Sequence, residues 1–123
     1  MKKAALALIE HDGKFLCISR KESPSKIGLI GGKVEKMESL ETALVREVKE
    51  EVGLNIDSVK PIFSEVVEDF EVHTFLVSVK SLRDLKPEKG YRLFWLSEHE
   101  LISKSKWPDY NLKVMKSWNK IKP

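Results

Sequence analysis

Gly31-Gly32-Lys33-Val34-Glu35-Lys36-Met37-Glu38 leads into Ser39-Leu40-Glu41-Thr42-Ala43-Leu44-Val45-Arg46-Glu47-Val48-Lys49-Glu50-Glu51-Val52-Gly53-Leu54, and the rest of the chain arranges itself around this stretch. Ser39 to Val52 holds neither Gly nor Pro, and Leu40, Ala43, Leu44 and Val48 recur at helical spacing, which predicts an amphipathic helix stopped by Gly53. Just upstream, Ile27 to Gly32 carries three glycines in six residues. Such a density calls for backbone, not side chain, in the space it fills. On the helix, Glu47 stands three residues before Glu50 and four before Glu51, so the three carboxylates share one face.

Two readings of that face follow. A solvated acidic stripe relieved by Arg46 and Lys49 is the ordinary one, because like charges at this spacing repel by a few tenths of a kcal/mol per pair, roughly. The other takes the glycine turn and the nearby Glu35 and Glu38 into account. Together they outline an oxygen-rich pocket of the kind Mg²⁺ or Mn²⁺ occupies with substrate phosphates completing the shell. Metal-assisted hydrolysis of a phosphoanhydride is the chemistry such a pocket supports.

Upstream of the glycines, Lys3 to Glu10 predicts a strand buried on both faces. The Asp12-Gly13 turn then leads into a partner strand, Phe15 to Arg20, with Phe15 and Cys17 on one side and Leu16 and Ile18 on the other. Lys21 to Lys26, with Pro24, reads as a loop. Downstream, Ile56 to Val67 carries strand pieces around Pro61, Glu68-Asp69 predicts a turn, and Phe70 to Val79 alternates as a strand. A charged loop, Leu82 to Gly90, precedes a strand from Tyr91 to Leu96. Ser97 and Glu100 fit a short capped helix through Leu101, and Pro108 opens a final helix to about Trp118 with Leu112, Met115 and Trp118 as its packing stripe. The expected class is α+β, with one mixed sheet in a single domain spanning 1–123.

Composition narrows the partners. Lys and Arg number 22 against 19 acids, a net charge of +3 with acids interspersed throughout, unlike the concentrated basic stripe of a nucleic-acid binder. No stable nucleic-acid partner is expected. One cysteine, Cys17, leaves no internal disulfide or multi-cysteine metal site. The apolar runs fall short of a membrane span, so a cytoplasmic location with no membrane partner is expected, as either monomer or homodimer.

Gly32, Glu38, Arg46, Glu47, Val48, Glu50, Glu51, Gly53 and Leu54 together resemble the Nudix box, G-x5-E-x7-R-E-U-x-E-E-x-G-U, where U is a bulky aliphatic residue. Every fixed position is present over 23 residues. The resemblance implies an α/β/α sandwich with a mixed curved sheet and a catalytic loop-helix-loop, the box occupying 32–54. It implies Glu47, Glu50 and Glu51 as metal-binding and catalytic carboxylates, with a carbonyl of the glycine pair, Gly32 or Gly31, as a further metal contact. Arg46 would pair with a box glutamate, Glu38, and hold the loop on the helix. Two flanking residues depart from the common pattern: Ile30 stands where proline often precedes the glycine pair, and Met37 where glycine often precedes the glutamate. Met37 therefore either avoids the left-handed region or enters it at a cost of about 1 kcal/mol or more.

Phe94-Trp95-Leu96 and Lys106-Trp107-Pro108-Asp109-Tyr110-Asn111 resemble the corresponding part of the MutT group, the oxidised purine nucleoside triphosphate diphosphatases. That resemblance implies Trp107, Asp109 and Asn111 as substrate-binding residues at the purine, although Tyr110 stands where a second acid is found in mammalian members. A Trp face stacks on any base, worth roughly 1–3 kcal/mol. Trp107 sealing the last helix, Asp109 capping it and Asn111 as a surface residue are the plain structural alternatives. Glu88 is a candidate further metal ligand, and Lys33 a candidate phosphate contact, with Lys26 and Arg20 weaker ones. Segments typical of ADP-ribose and NADH hydrolases are not matched. The expectation is a Mg²⁺-dependent pyrophosphohydrolase of a nucleoside triphosphate, with 8-oxo-dGTP foremost. A pyrimidine triphosphate such as CTP or dCTP, or diadenosine tetraphosphate, is the alternative, and a non-catalytic nucleotide- or RNA-binding module stands further off because the box is intact.

Overall fold

Ala5, Ala7 and Ile9 turn one way along the N-terminal run and Leu8 the other, and all four are at most 2% exposed. A strand sealed on both sides needs a layer on each side, and both layers are present. The computed structural model describes residues 1–20 and 22–123, Arg20 by its backbone alone. Its strands are β1 (Lys2–Leu8), β2 (Glu10–His11), β3 (Lys14–Arg20), β4 (Ser23–Lys33), β5 (Ile56–Val67), β6 (Phe70–Val79) and β7 (Arg92–Leu96), and its helices are α1 (Leu40–Val52), α2 (Glu98–Lys104) and α3 (Pro108–Ile121).

The sheet runs β2-β3-β4-β1-β6-β5, with β7 on β3. At its centre β1 pairs antiparallel with β4 and parallel with β6, which makes the sheet mixed. Leu44, Val48 and Val52 of α1 pack with Ala5, Ala7, Leu16 and Ile18 on one face. Leu101 of α2 and Tyr110, Val114 and Met115 of α3 pack with Leu8, Phe15 and Cys17 on the other. Burial pushes the Cys17 thiol up to about 12, which leaves it a small core hydrophobe.

Local chemistry explains the helix ends. Ser39 accepts the Thr42 N–H at the start of α1, and Gly53, at φ 73, donates its N–H to the Lys49 carbonyl at the end. Ser97 and Glu100 form a reciprocal capping box on α2, which runs on to Lys104, past Leu101.

Several expectations need correction. Strand β4 begins at Ser23, inside the expected Lys21–Lys26 loop: Ser19 pairs with Ile27 and Arg20 with Ser23, so the strand tolerates Pro24 by bulging. The N-terminal strand is interrupted at Ile9, and β5 is continuous through Pro61, with register shifts there and near Ile56. On α3 the packing face is Tyr110, Asn111, Val114 and Met115, while Leu112 is exposed. No helix among the described residues is long and apolar enough to cross a membrane.

Candidate active site

Gly31 and Gly32 end β4 where it meets both β1 and α1. A Cβ on Gly31 would lie 2.2 Å from the Ala5 carbonyl oxygen and 2.8 Å from Leu6 Cα, and its φ is 144, so only glycine lets the two strands close. A Cβ on Gly32 would lie 3.0 Å from Glu47 Cδ and from both its carboxylate oxygens. The turn thus presents bare backbone to one box glutamate. A turn further along α1, Glu51 is 3% exposed and its Oε1 accepts the Gly31 N–H at 2.8 Å. Glycine turn and helix are joined by this buried hydrogen bond.

Arg46 organises the rest. It donates from Nε and Nη2 to the two Glu38 oxygens at 2.7 and 2.9 Å, from Nη1 to Glu47 at 2.8 Å and Glu50 at 3.4 Å, and from Nη2 to the Lys33 carbonyl at 3.2 Å. Glu38 also accepts the Glu35 N–H at 2.9 Å, closing the loop. The paired guanidinium, with that N–H, holds the Glu38 carboxyl down to about 2. Met37, in the same loop, adopts φ 72, so the left-handed conformation is present without glycine. Glu88 is exposed, and its N–H donates to the Glu51 carbonyl at 2.9 Å, which brings its loop against the end of α1.

From Gly32, Lys33 and Glu47 a cleft of about 670 Å³ extends across the α3 face of the sheet. Ala4, Leu6 and Val72 line it from the strands, Val67, Glu68 and Phe70 from the β5–β6 hairpin, and Lys106, Trp107 and Tyr110 from the helical layer. Lys33 Nζ lies 5.7 Å from the Phe70 ring centre, and Lys106 Nζ 4.9 Å from that of Trp107. Tyr110 shares a 2.7 Å hydrogen bond with Thr74 Oγ1, and burial pushes its hydroxyl up to about 12.

The structure therefore gathers Gly32, Arg46, Glu47, Glu50 and Glu51 on one side, with Lys33 and Trp107 along the same cleft. Lys26 lines a narrower recess beside Gly32 and Trp107, and the Arg20 side chain lies outside the described residues. Asp109 is exposed in the first turn of α3 and does not line the cleft. Asn111, expected at the base, is 2% exposed and donates from Nδ2 to Ser105 Oγ at 2.8 Å. Its N–H reaches the Trp107 carbonyl at 2.9 Å, and Lys106 N–H bonds Ile27 O at 2.9 Å, so this network fixes the segment that carries Trp107. Sequence reasoning passed over Phe70, Glu68, Lys106 and Tyr110. The alternation of β6, which puts Phe70 with Val72 and Thr74, was the available signal.

Three carboxylates on one helix face, beside a turn without a Cβ at Gly32, are oxygen donors of the kind that suit a hard divalent cation. Among the described residues no three His, Cys, Asp or Glu side chains close into a cage. An ion that keeps waters and takes phosphate oxygens needs no such cage.

Comparison with known proteins extends this picture. An ADP-ribose pyrophosphatase of Methanocaldococcus jannaschii is 40% identical over 74 residues, 57% of this chain and 44% of that protein. A CTP pyrophosphohydrolase of Escherichia coli is 46% identical over 57 residues, 44% of this chain and 42% of that protein. The chain thus spans less than half the length of these curated relatives. A solved Nudix hydrolase family member of Chromobacterium violaceum has the same fold, with a TM-score of 0.79, 22% identity, and coverage of 98% of this chain and 77% of that one. The NUDIX domain pattern matches residues 1–117, nearly the whole length, and the chain belongs to the Nudix family.

Proposed function

We propose that the chain is a Mg²⁺-dependent nucleotide pyrophosphohydrolase, acting as one domain, that splits a nucleoside triphosphate into the monophosphate and pyrophosphate. The observation that carries this reading is the continuous cleft from Gly32 and Glu47, at the carboxylate cluster, to Trp107. Glu47, Glu50 and Glu51, with the Gly32 carbonyl and Glu88 as a further ligand, would hold the metal. When bound, Mg²⁺ supplies neutralisation of phosphate charge and acidification of a water. Arg46 keeps the carboxylates gathered, and Lys33 meets the phosphates. One glutamate takes the proton of the attacking water as its oxygen bonds to phosphorus, and the bridging P–O bond breaks to release pyrophosphate.

Trp107 offers its indole face to the base. With the resemblance of this segment to the MutT group, that favours a purine triphosphate, 8-oxo-dGTP foremost, read from Trp107 and without Asp109, which lies off the cleft. The likeness to a CTP pyrophosphohydrolase over 57 residues favours CTP as a second reading.

Purified protein with Mg²⁺ is assayed against 8-oxo-dGTP, dGTP, CTP, dCTP, ADP-ribose and diadenosine tetraphosphate, with products resolved by chromatography. Monophosphate and pyrophosphate are expected from at least one triphosphate, and no hydrolysis of any compound would refute the proposal. A preference for CTP over every purine would overturn the purine reading alone. Glu51→Gln should lose activity by roughly 10²–10⁴-fold with its circular dichroism spectrum unchanged. Full activity in that variant would contradict the metal-site assignment.

A further inference from the structure

The last turn of a helix leaves carbonyls without partners inside the helix, and at the end of α1 the charged loop after β6 supplies donors for two of them. Lys86 donates its N–H to the Val52 carbonyl at 3.0 Å, and Glu88 donates its N–H to the Glu51 carbonyl at 2.9 Å. Glu51 is thereby a junction. Its carboxylate takes the Gly31 N–H and its carbonyl takes the Glu88 N–H, so the glycine turn and the Glu88 loop are fixed to the same residue.

Two residues make that attachment possible. Gly53 is the first. An added Cβ would lie 3.0 Å from the Asp84 carbonyl oxygen, and 3.7 and 3.9 Å from Lys86 O and N, so any side chain there pushes against the backbone of the loop. A helix stop alone does not demand this, since asparagine also adopts the left-handed cap. Pro87 is the second: the loop residue lacking an N–H stands between the two that donate to the helix. Its ring also biases Lys86 towards extended backbone. Leu82 and Leu85, partly buried, pack against the core on the α1 side and anchor the loop, and the Tyr91 N–H closes onto the Glu88 carbonyl at 2.9 Å.

We propose that Gly53 and Pro87 are positioning residues for Glu88: they hold segment 84–88 as a fixed strap on the end of α1, so that Glu88 is carried by the same helix end as Glu51. This rests on the assignment of Glu88 as a further metal ligand, and gives the means by which an exposed loop residue is held to the site.

Mn²⁺ binding, followed by electron paramagnetic resonance of the free ion, reads the site without turnover. Glu88→Gln is expected to weaken binding, and Gly53→Asn to weaken it roughly tenfold, as loss of support behind a metal ligand does. Gly53→Ala should lose at least as much, because both variants carry the Cβ that meets Asp84 and only asparagine keeps the cap unstrained. Pro87→Ala adds no clash; checked as folded by circular dichroism, it should weaken binding severalfold. In a Glu88→Gln background neither Gly53→Asn nor Pro87→Ala should weaken binding further, since each acts through Glu88. Wild-type affinity in the folded variants, affinity restored by asparagine where alanine loses it, or losses that add in full to that of Glu88→Gln would overturn the proposal. Unchanged affinity in Glu88→Gln would overturn it too. Hydrolysis of dGTP and CTP is followed in the same preparations. No turnover with the expected binding pattern intact would sink the pyrophosphohydrolase reading and leave the strap in its role. Turnover with unchanged Mn²⁺ affinity in the Gly53 and Pro87 variants would sink the strap alone.

Discussion

At Gly31 and Gly32 the same substitution has opposite consequences, and the difference lies in what an added methyl would strike. At Gly31 it would meet the Ala5 carbonyl and Leu6 Cα, which are backbone of the central strand and cannot yield. At Gly32 it would meet only the end of the Glu47 side chain, at 3.0 Å, and that end can swing away. Gly32→Ala should therefore leave stability within about 0.5–1 kcal/mol of wild type, while displacing a carboxylate assigned to the metal. A misplacement of order 1 Å can cost about 10²-fold in rate. A Mg²⁺ titration of activity alongside a thermal melt checks this: a raised Mg²⁺ requirement at an unchanged Tm is expected. Normal Mg²⁺ dependence in a folded Gly32→Ala protein would show that the turn does not shape the metal site.

At the scale of the element, α1 is tied to its loop by charge. Arg46 grips Glu38 with two hydrogen bonds, and that contact first, then the Glu35 N–H, lowers the Glu38 carboxyl from its ordinary 4.5 to about 2. A carboxyl depressed in the folded state contributes stability that is complete above its unfolded value and fades as pH falls. The window here runs from about 4.5 down to about 2. Wild type should melt higher than Glu38→Gln at neutral pH, and the gap should close across that window; a gap independent of pH would deny the ion pair its role. This element was legible because helix spacing, cap and charge pattern are all local in sequence. The start of β4 was not, since Pro24 and its polar neighbours carry loop chemistry and only pairing with β3 makes them a strand. Asn111 was misread for a similar reason: its partner, Ser105, lies on the preceding helix end, and nothing local says that the amide turns inward.

Across the whole molecule the sheet separates two tasks. The glycine turn and α1 bring the carboxylates to one end of the cleft, while α3 and the β5–β6 hairpin build its apolar walls. The central order β4-β1-β6 could not be read from the sequence because it joins distant segments in parallel and antiparallel registers. The presence of one mixed sheet could be expected, from the order of strands and helices along the chain and from the resemblance to the Nudix box. Charge follows the same division: with acids clustered on α1, Lys33 and Lys106 line the cleft and Lys2 lies 5.8 Å from the Phe70 ring. These lysines would draw in a triphosphate against the local acidic field, and long-range attraction of that kind is screened by salt, with a Debye length of about 30 Å at 0.01 M and 10 Å at 0.1 M. At fixed free Mg²⁺, kcat/KM for the best triphosphate should fall severalfold as NaCl is raised through this range, while kcat barely moves. Lys106→Gln, which removes a cation without touching the carboxylates, should start lower and fall less steeply. A loss confined to kcat, or a Lys106→Gln slope equal to that of wild type, would mean that the lysines beside the cleft take no part in capturing substrate.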